Sequence, residues 1–91
     1  MKTIKLTKEI TVSGEPVIEL TLREPTYDEM ASCGIPFTIT EEGEIKVDLK
    51  STLRYLPILA GIPPSSAKQI APKDVMTVSM SIVSFFTVSA A

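Results

Sequence analysis

The stretch Glu19-Leu20-Thr21-Leu22-Arg23-Glu24-Pro25-Thr26 constrains this chain most, because it joins an alternating strand directly to a helix start. Leu20 and Leu22 fall on one side and Glu19, Thr21 and Arg23 on the other, the period-2 pattern of a half-buried strand. Pro25 ends the strand, since it has no N–H to give to a ladder. Thr26, followed three residues later by Glu29, has the spacing of a capping box, in which hydroxyl and carboxylate satisfy the free amides of a new helix.

Upstream, Lys2 to Val12 reads as a first strand with Ile4, Leu6, Ile10 and Val12 on one face and Lys8 as the exception. Its partner presents Ile18, Leu20 and Leu22, and Ser13-Gly14-Glu15-Pro16 supplies the turn between them. Two strands alone are marginal in water, so the hairpin has to lay its apolar face on helices or on a partner. Downstream, the helix opened by Thr26 is short, because Gly34 and Pro36 stop it. Phe37-Thr38-Ile39-Thr40 and Glu44-Ile45-Lys46-Val47 then alternate around Glu41-Glu42-Gly43, the pattern of a second small hairpin.

Asp48 is placed to cap a helix from Leu49 to Ala60, where Leu49, Leu53, Leu56 and Ala60 recur on one face. Pro57 inside it predicts a kink, Gly61 an αL cap, and Pro63-Pro64 a stop. Ser66 and Gln69 repeat the capping-box spacing and predict a single helical turn. Pro72 fits the first position of a last helix, with Lys73 and Asp74 in its first turn. Beyond Asp74 the chain carries no charged side chain. Val75, Val78, Ile82 and Phe85 form a stripe at helical spacing, and Met76, Met80, Val83 and Phe86 nearly complete the circumference. Such a helix needs cover on most sides, which leaves three readings: the central core helix, a core helix with a face for another chain, or a membrane span. From Val75 to Ala91 a helix would reach about 25 Å, close to the hydrocarbon thickness, but Thr77, Ser79, Ser81, Ser84, Thr87 and Ser89 dilute the apolar signal and set the membrane reading last.

The chemistry of catalysis is sparse. The 91 residues include no histidine, so the usual neutral-pH base and metal ligand is missing. Glu24, Asp28, Glu29 and the Glu41-Glu42-Glu44 group are the candidate carboxylates, but Asp28 and Glu29 suit the helix start, and Glu41, Glu42 and Glu44 read as a solvated turn rather than a divalent-metal site. Cys33 has no partner thiol and no activating base, which favours a small buried residue over a nucleophile and implies a reducing, cytoplasmic setting. No cofactor or metal is expected. A formal charge of −2 and a pI near 5.0, with nine Lys and Arg residues scattered along the chain, argue against nucleic acid as a partner.

Two stretches carry a family likeness. Leu22-Arg23-Glu24-Pro25-Thr26, and then Leu56-Pro57-Ile58-Leu59-Ala60-Gly61-Ile62-Pro63 followed by Asp74 and Phe85-Phe86, resemble in content and order the tail assembly chaperones of Mu-like, contractile-tailed phages. The region from Cys33 to Val47 departs from that pattern, since many relatives are helical there. The resemblance implies a non-enzymatic, cytoplasmic assembly factor that binds the tape-measure protein before the tail tube polymerises around it. A structural tail subunit, a self-associating module and a tail-anchored membrane protein are the alternatives.

The expectation is therefore an α+β chain forming one small domain: a β-hairpin over residues 1–25, a short helix and candidate hairpin over 26–47, and a helical part over 48–91. Val75, Met76, Val78, Met80, Ile82, Phe85 and Phe86 are the candidate partner-binding residues, toward the tape-measure protein or a second copy. Changing Phe85 and Phe86 together to Ser is expected to abolish client binding.

Overall fold

A computed structural model describes residues 1–87. In chain order the elements are β1 (Lys2–Val12), β2 (Glu15–Leu22), α1 (Tyr27–Cys33), β3 (Phe37–Ile39), β4 (Ile45–Val47), α2 (Leu49–Ala60), α3 (Pro64–Ala67) and α4 (Pro72–Thr87). The architecture is α+β: an antiparallel β1–β2 hairpin, a second antiparallel pair β3–β4, and helices that complete the core. The expected continuation of the helical part from residue 88 to 91 lies outside the described residues.

The first hairpin turns on Ser13 and Gly14, both at positive φ, as a tight two-residue connection requires. Pro16 sits within β2 opposite Thr11 rather than in the turn. It costs the ladder nothing, because Thr11 points its own N–H and C=O away from β2. The register then slips: Ile4 faces Leu20, but Ile10 faces Val17, so residues 6–9 of β1 bulge opposite a single residue of β2. This explains Lys8, which lies exposed in the bulge. It also corrects Ile18. The bulge brings Val17 against the core and leaves Ile18 46% exposed, so the inward set on β2 is Val17, Leu20 and Leu22.

The β2–α1 corner is built as its spacing predicts. Thr26 caps α1 through Glu29 N–H, and the Glu29 carboxylate accepts from Thr26 N–H at 2.9 Å. Arg23 adds a fork of two N–H donors onto the same carboxylate, and its backbone N–H bonds Leu59 O of α2 at 3.2 Å. Together these hold the Glu29 carboxyl well below its ordinary 4.5, at about 2, with the Arg23 hydrogen bonds the largest cause. The family-like Leu-Arg-Glu-Pro-Thr run is thus an architectural corner, with Leu22 fully buried at its start.

The second hairpin forms at the expected residues. Thr40 and Glu44 close its loop by a backbone bond of 2.8 Å, with Gly43 at φ +84° and Glu41, Glu42 and Glu44 exposed to solvent. Asp48 caps α2, and Gly61 ends it in the αL region. Gly61 N–H bonds Ile58 O while Ile62 N–H bonds Pro57 O, the paired closure of a Schellman motif. Pro57 falls in the last turn of a continuous helix. The buried stripe of α2 is Thr52, Tyr55, Leu56 and Leu59, not the Leu49–Leu53–Leu56–Ala60 row; Leu49 and Leu53 lie on its exposed flank. The rotation has a visible cause. Thr52 and Tyr55 enter the core with their hydroxyls satisfied, Thr52 Oγ1 donating to Leu49 O and Tyr55 Oη to Gly34 O. Burial also pushes the Tyr55 phenol above its ordinary pKa.

Ser66 and Gln69 do not make a capping box. Pro63 occupies the N-cap of α3 without a side-chain bond. Ser66 Oγ instead donates to Thr11 O at 2.8 Å, while Gln69 accepts from Thr11 N–H at 2.8 Å and donates to Thr11 O at 3.2 Å. A side-chain amide thus stands in for a strand at the open edge of β1, which shields that edge from pairing with another chain.

Candidate docking surface

Helix α4 is positioned by one carboxylate. Asp74, in its first turn and 2% exposed, accepts from Thr7 N–H and Thr7 Oγ1 at 2.9 Å each and from Lys8 N–H at 3.4 Å. These are amides of the β1 bulge, which lack a ladder partner. The bulge and the helix therefore explain each other: the bulge frees the donors and Asp74 satisfies them, its charge also suiting a helix N-terminus.

Further along, Ser79 and Thr52, both fully buried, link α4 to α2 by a 3.0 Å hydroxyl bond. Leu56 and Val75 line one groove. These two pairings pack α4 on α2. Val78 and Ile82 are fully buried among Ile4, Leu6, Leu20, Leu22 and Tyr55, and Val83 is buried as well. The outer face of α4 is a row of hydroxyls: Thr77, Ser81, Ser84 and Thr87 each bond back to a carbonyl three or four residues earlier. The apolar circumference expected from sequence is thus interrupted by self-satisfied Ser and Thr.

The predicted partner residues accordingly divide. Val78 and Ile82 belong to the chain's own core. Phe86 stacks edge-on with Tyr55 at 5.7 Å and with Phe37 at 6.2 Å, tying β3 to α2. Phe85 is half-buried, with Lys2 Nζ 5.6 Å from its ring centre. Met76 and Met80 are 51% and 55% exposed, and Val75 is half-buried beside them. Val75 also closes one side of a groove of about 360 Å³ whose other walls are Leu53, Leu56 and Pro57 of α2 with Pro64, Ala67, Lys68 and Ile70. Leu49 and Leu53 lie exposed along the flank of α2, so an apolar strip runs over the α2–α4 seam into the groove.

What such a strip can do is bind. Among the described residues no three His, Cys, Asp or Glu side chains gather to hold an ion, and Cys33 is buried. No helix of the described residues is long and apolar enough to cross a membrane. The candidate residues read from sequence all lie on α4, and none was drawn from α2 or α3. Leu53 was readable as an excess leucine beside a stripe already supplied by Leu56 and Leu59. Ile70, Pro64 and Ala67 carried no local signal.

Over residues 3–87 the chain matches the family of phage tail assembly chaperone proteins, E, or 41 or 14. It belongs to that family. Comparison with curated proteins and with solved structures gives no match. Membership in the tail assembly chaperones supports a role in tail assembly. In this tail assembly chaperone the segment from Cys33 to Val47 folds as the end of α1 and the β3–β4 pair.

Proposed function

We propose that this chain binds the tape-measure protein in the host cytoplasm before the tail tube polymerises around it, in a Mu-like, contractile-tailed phage or prophage, and that it does so without catalysis. Family membership across residues 3–87 is the observation that carries this reading. The client face is the strip formed by Val75, Met76 and Met80 with Leu53 and the adjoining groove. Met side chains suit that task, because an unbranched, polarisable chain re-packs against irregular apolar surfaces. Val78, Ile82, Phe85 and Phe86 contribute by holding α4 in place.

The test is coexpression with the tape-measure protein of the same genome, followed by capture on the tagged chain. Truncation after Asp74 would remove Val78, Ile82 and Val83 from the core, and Phe85/Phe86→Ser would break the Phe37–Phe86–Tyr55 stack, so neither isolates the surface. Met76→Glu with Met80→Glu does, because both positions are exposed. Wild type captures the client, and the folded double variant captures at least ~10-fold less, as the loss of one or two apolar anchors implies. Equal capture by both excludes this face. Self-association is a second reading, favoured by the cross-strand pair Ile39 and Ile45, which are 62% and 50% exposed on the second hairpin. Sedimentation showing a concentration-dependent dimer that Ile39→Glu dissolves would support it.

A further inference from the structure

Every carboxylate side chain except Asp74 lies at or before Asp48, and Asp74 is buried against the β1 bulge. Beyond Asp48 the other charged side chains are Lys50, Arg54, Lys68 and Lys73, all exposed. They look scattered along the chain, but the fold collects them around one feature. Lys50, Arg54 and Pro57 recur at spacings of four and three, so the two cations share the stripe of α2 that ends in the groove wall. Lys68 is itself part of that wall. Lys73, Met76 and Met80 recur at spacings of three and four and share one stripe of α4. The apolar strip is therefore flanked by cations on its α2 side, on its α4 side and at its α3 end. Among the described residues the recorded ion pair, Arg23–Glu29, lies elsewhere, at the β2–α1 corner.

A chain of net charge −2 that ranges Lys68, Arg54 and Lys73 about its groove, with Asp48 left at the far, N-terminal end of α2, has a chemically selective surface. A partner bringing further cations is repelled, whereas one bringing carboxylates is steered in and registered. The walls are helices, whose backbone groups are satisfied internally, so they offer no ladder for an extended strand. A partner lying here has to satisfy its own backbone, which a helix does.

We propose that the strip between α2, α3 and α4 receives an acidic amphipathic helix, with apolar residues at i, i+3 or i+4 and i+7 in the groove and Asp or Glu along its flanks. This rests on the client reading above and names the chemistry of the client segment.

The experiment uses the full chain and two labelled helical peptides of about 20 residues, long enough to hold a helix. They share one Leu/Met face, and their polar face is Glu-rich in one and Lys-rich in the other. Fluorescence anisotropy is expected to give at least ~10-fold tighter binding of the Glu-rich peptide, with the gap narrowing as salt is raised. Arg54→Glu with Lys68→Glu, both at exposed positions and checked for folding by circular dichroism, is expected to reverse the preference. Equal affinities, no binding of either peptide, or a preference unchanged in the double variant overturns the proposal. Salt-sensitive self-association that excludes both peptides also overturns it, placing a second copy on the strip. Capture of the tape-measure protein is followed in parallel. Equal capture by wild type and double variant removes the charge inference and leaves the client reading standing, while binding of the Glu-rich peptide without capture of the tape-measure protein does the reverse.

Discussion

Two carboxylates show how single residues set this fold, and each makes a distinct prediction. Glu29 is held at about 2 by the Arg23 fork and by Thr26 N–H, so its folded pKa lies below the unfolded value. A depressed carboxylate contributes stability above its unfolded pKa and loses it as pH falls toward its folded one. Wild type should therefore exceed Glu29→Gln in denaturant midpoint at neutral pH, and the difference should shrink between about pH 4.5 and pH 2. A difference that stays constant across that window would detach the corner from this ion pair. Asp74 acts over a longer range. Asp74→Ala removes the buried acceptor of the Thr7 and Lys8 amides and should cost about 1–2 kcal/mol in urea unfolding, since Thr7 and Lys8 themselves are exposed. Asp74→Asn, whose oxygen still accepts from Thr7 N–H, should cost less. Of these two residues only Glu29 was legible in the sequence, because its partner Thr26 is three residues away. Asp74 could be assigned to a helix start, but its main partners sit at the other end of the chain.

At the scale of elements, local signals carried the assignment wherever they were strong. The β2–α1 junction, the Asp48 cap, the Gly61 stop and Pro72 at the start of α4 all rest on residues within a few positions of one another. Faces were harder to read. The inward stripe of α2 runs through Thr52 and Tyr55, which a search for leucines passes over, and Ile18 turns outward because of a bulge on the opposite strand. Ser66 and Gln69 carry the spacing of a cap yet bind Thr11, since the edge of β1 offers unpaired backbone groups within reach. Phe86 links three elements, and a double-mutant cycle of Phe37→Ala and Phe86→Leu should return a coupling of about 0.5–1.5 kcal/mol. A coupling near zero would mean that the β3–β4 pair is held by its own bonds alone.

Across the whole molecule, α4 has two roles on different sides. Asp74, Val78, Ser79 and Ile82 face β1, β2 and α2, while Met76 and Met80 face outward beside the groove. The sequence left the core and partner readings of α4 open because both need an apolar helix; the division between them depends on what α2 and the hairpin cover. The candidate site was half legible for the same reason. Its methionines lie on an obvious helix, but Leu53, Ile70 and the four flanking cations become one surface only when α2, α3 and α4 are brought together.

The methionines also provide the most direct test, because the chain has four, Met1, Met30, Met76 and Met80, and selective methyl labelling gives one NMR signal for each. Met30 is exposed on α1 and is not part of the groove wall, so it serves as the internal control. On titration with a soluble tape-measure fragment, the Met76 and Met80 signals should shift or broaden together while Met30 stays unchanged. Binding that moves Met30 and leaves Met76 and Met80 untouched would contradict the account.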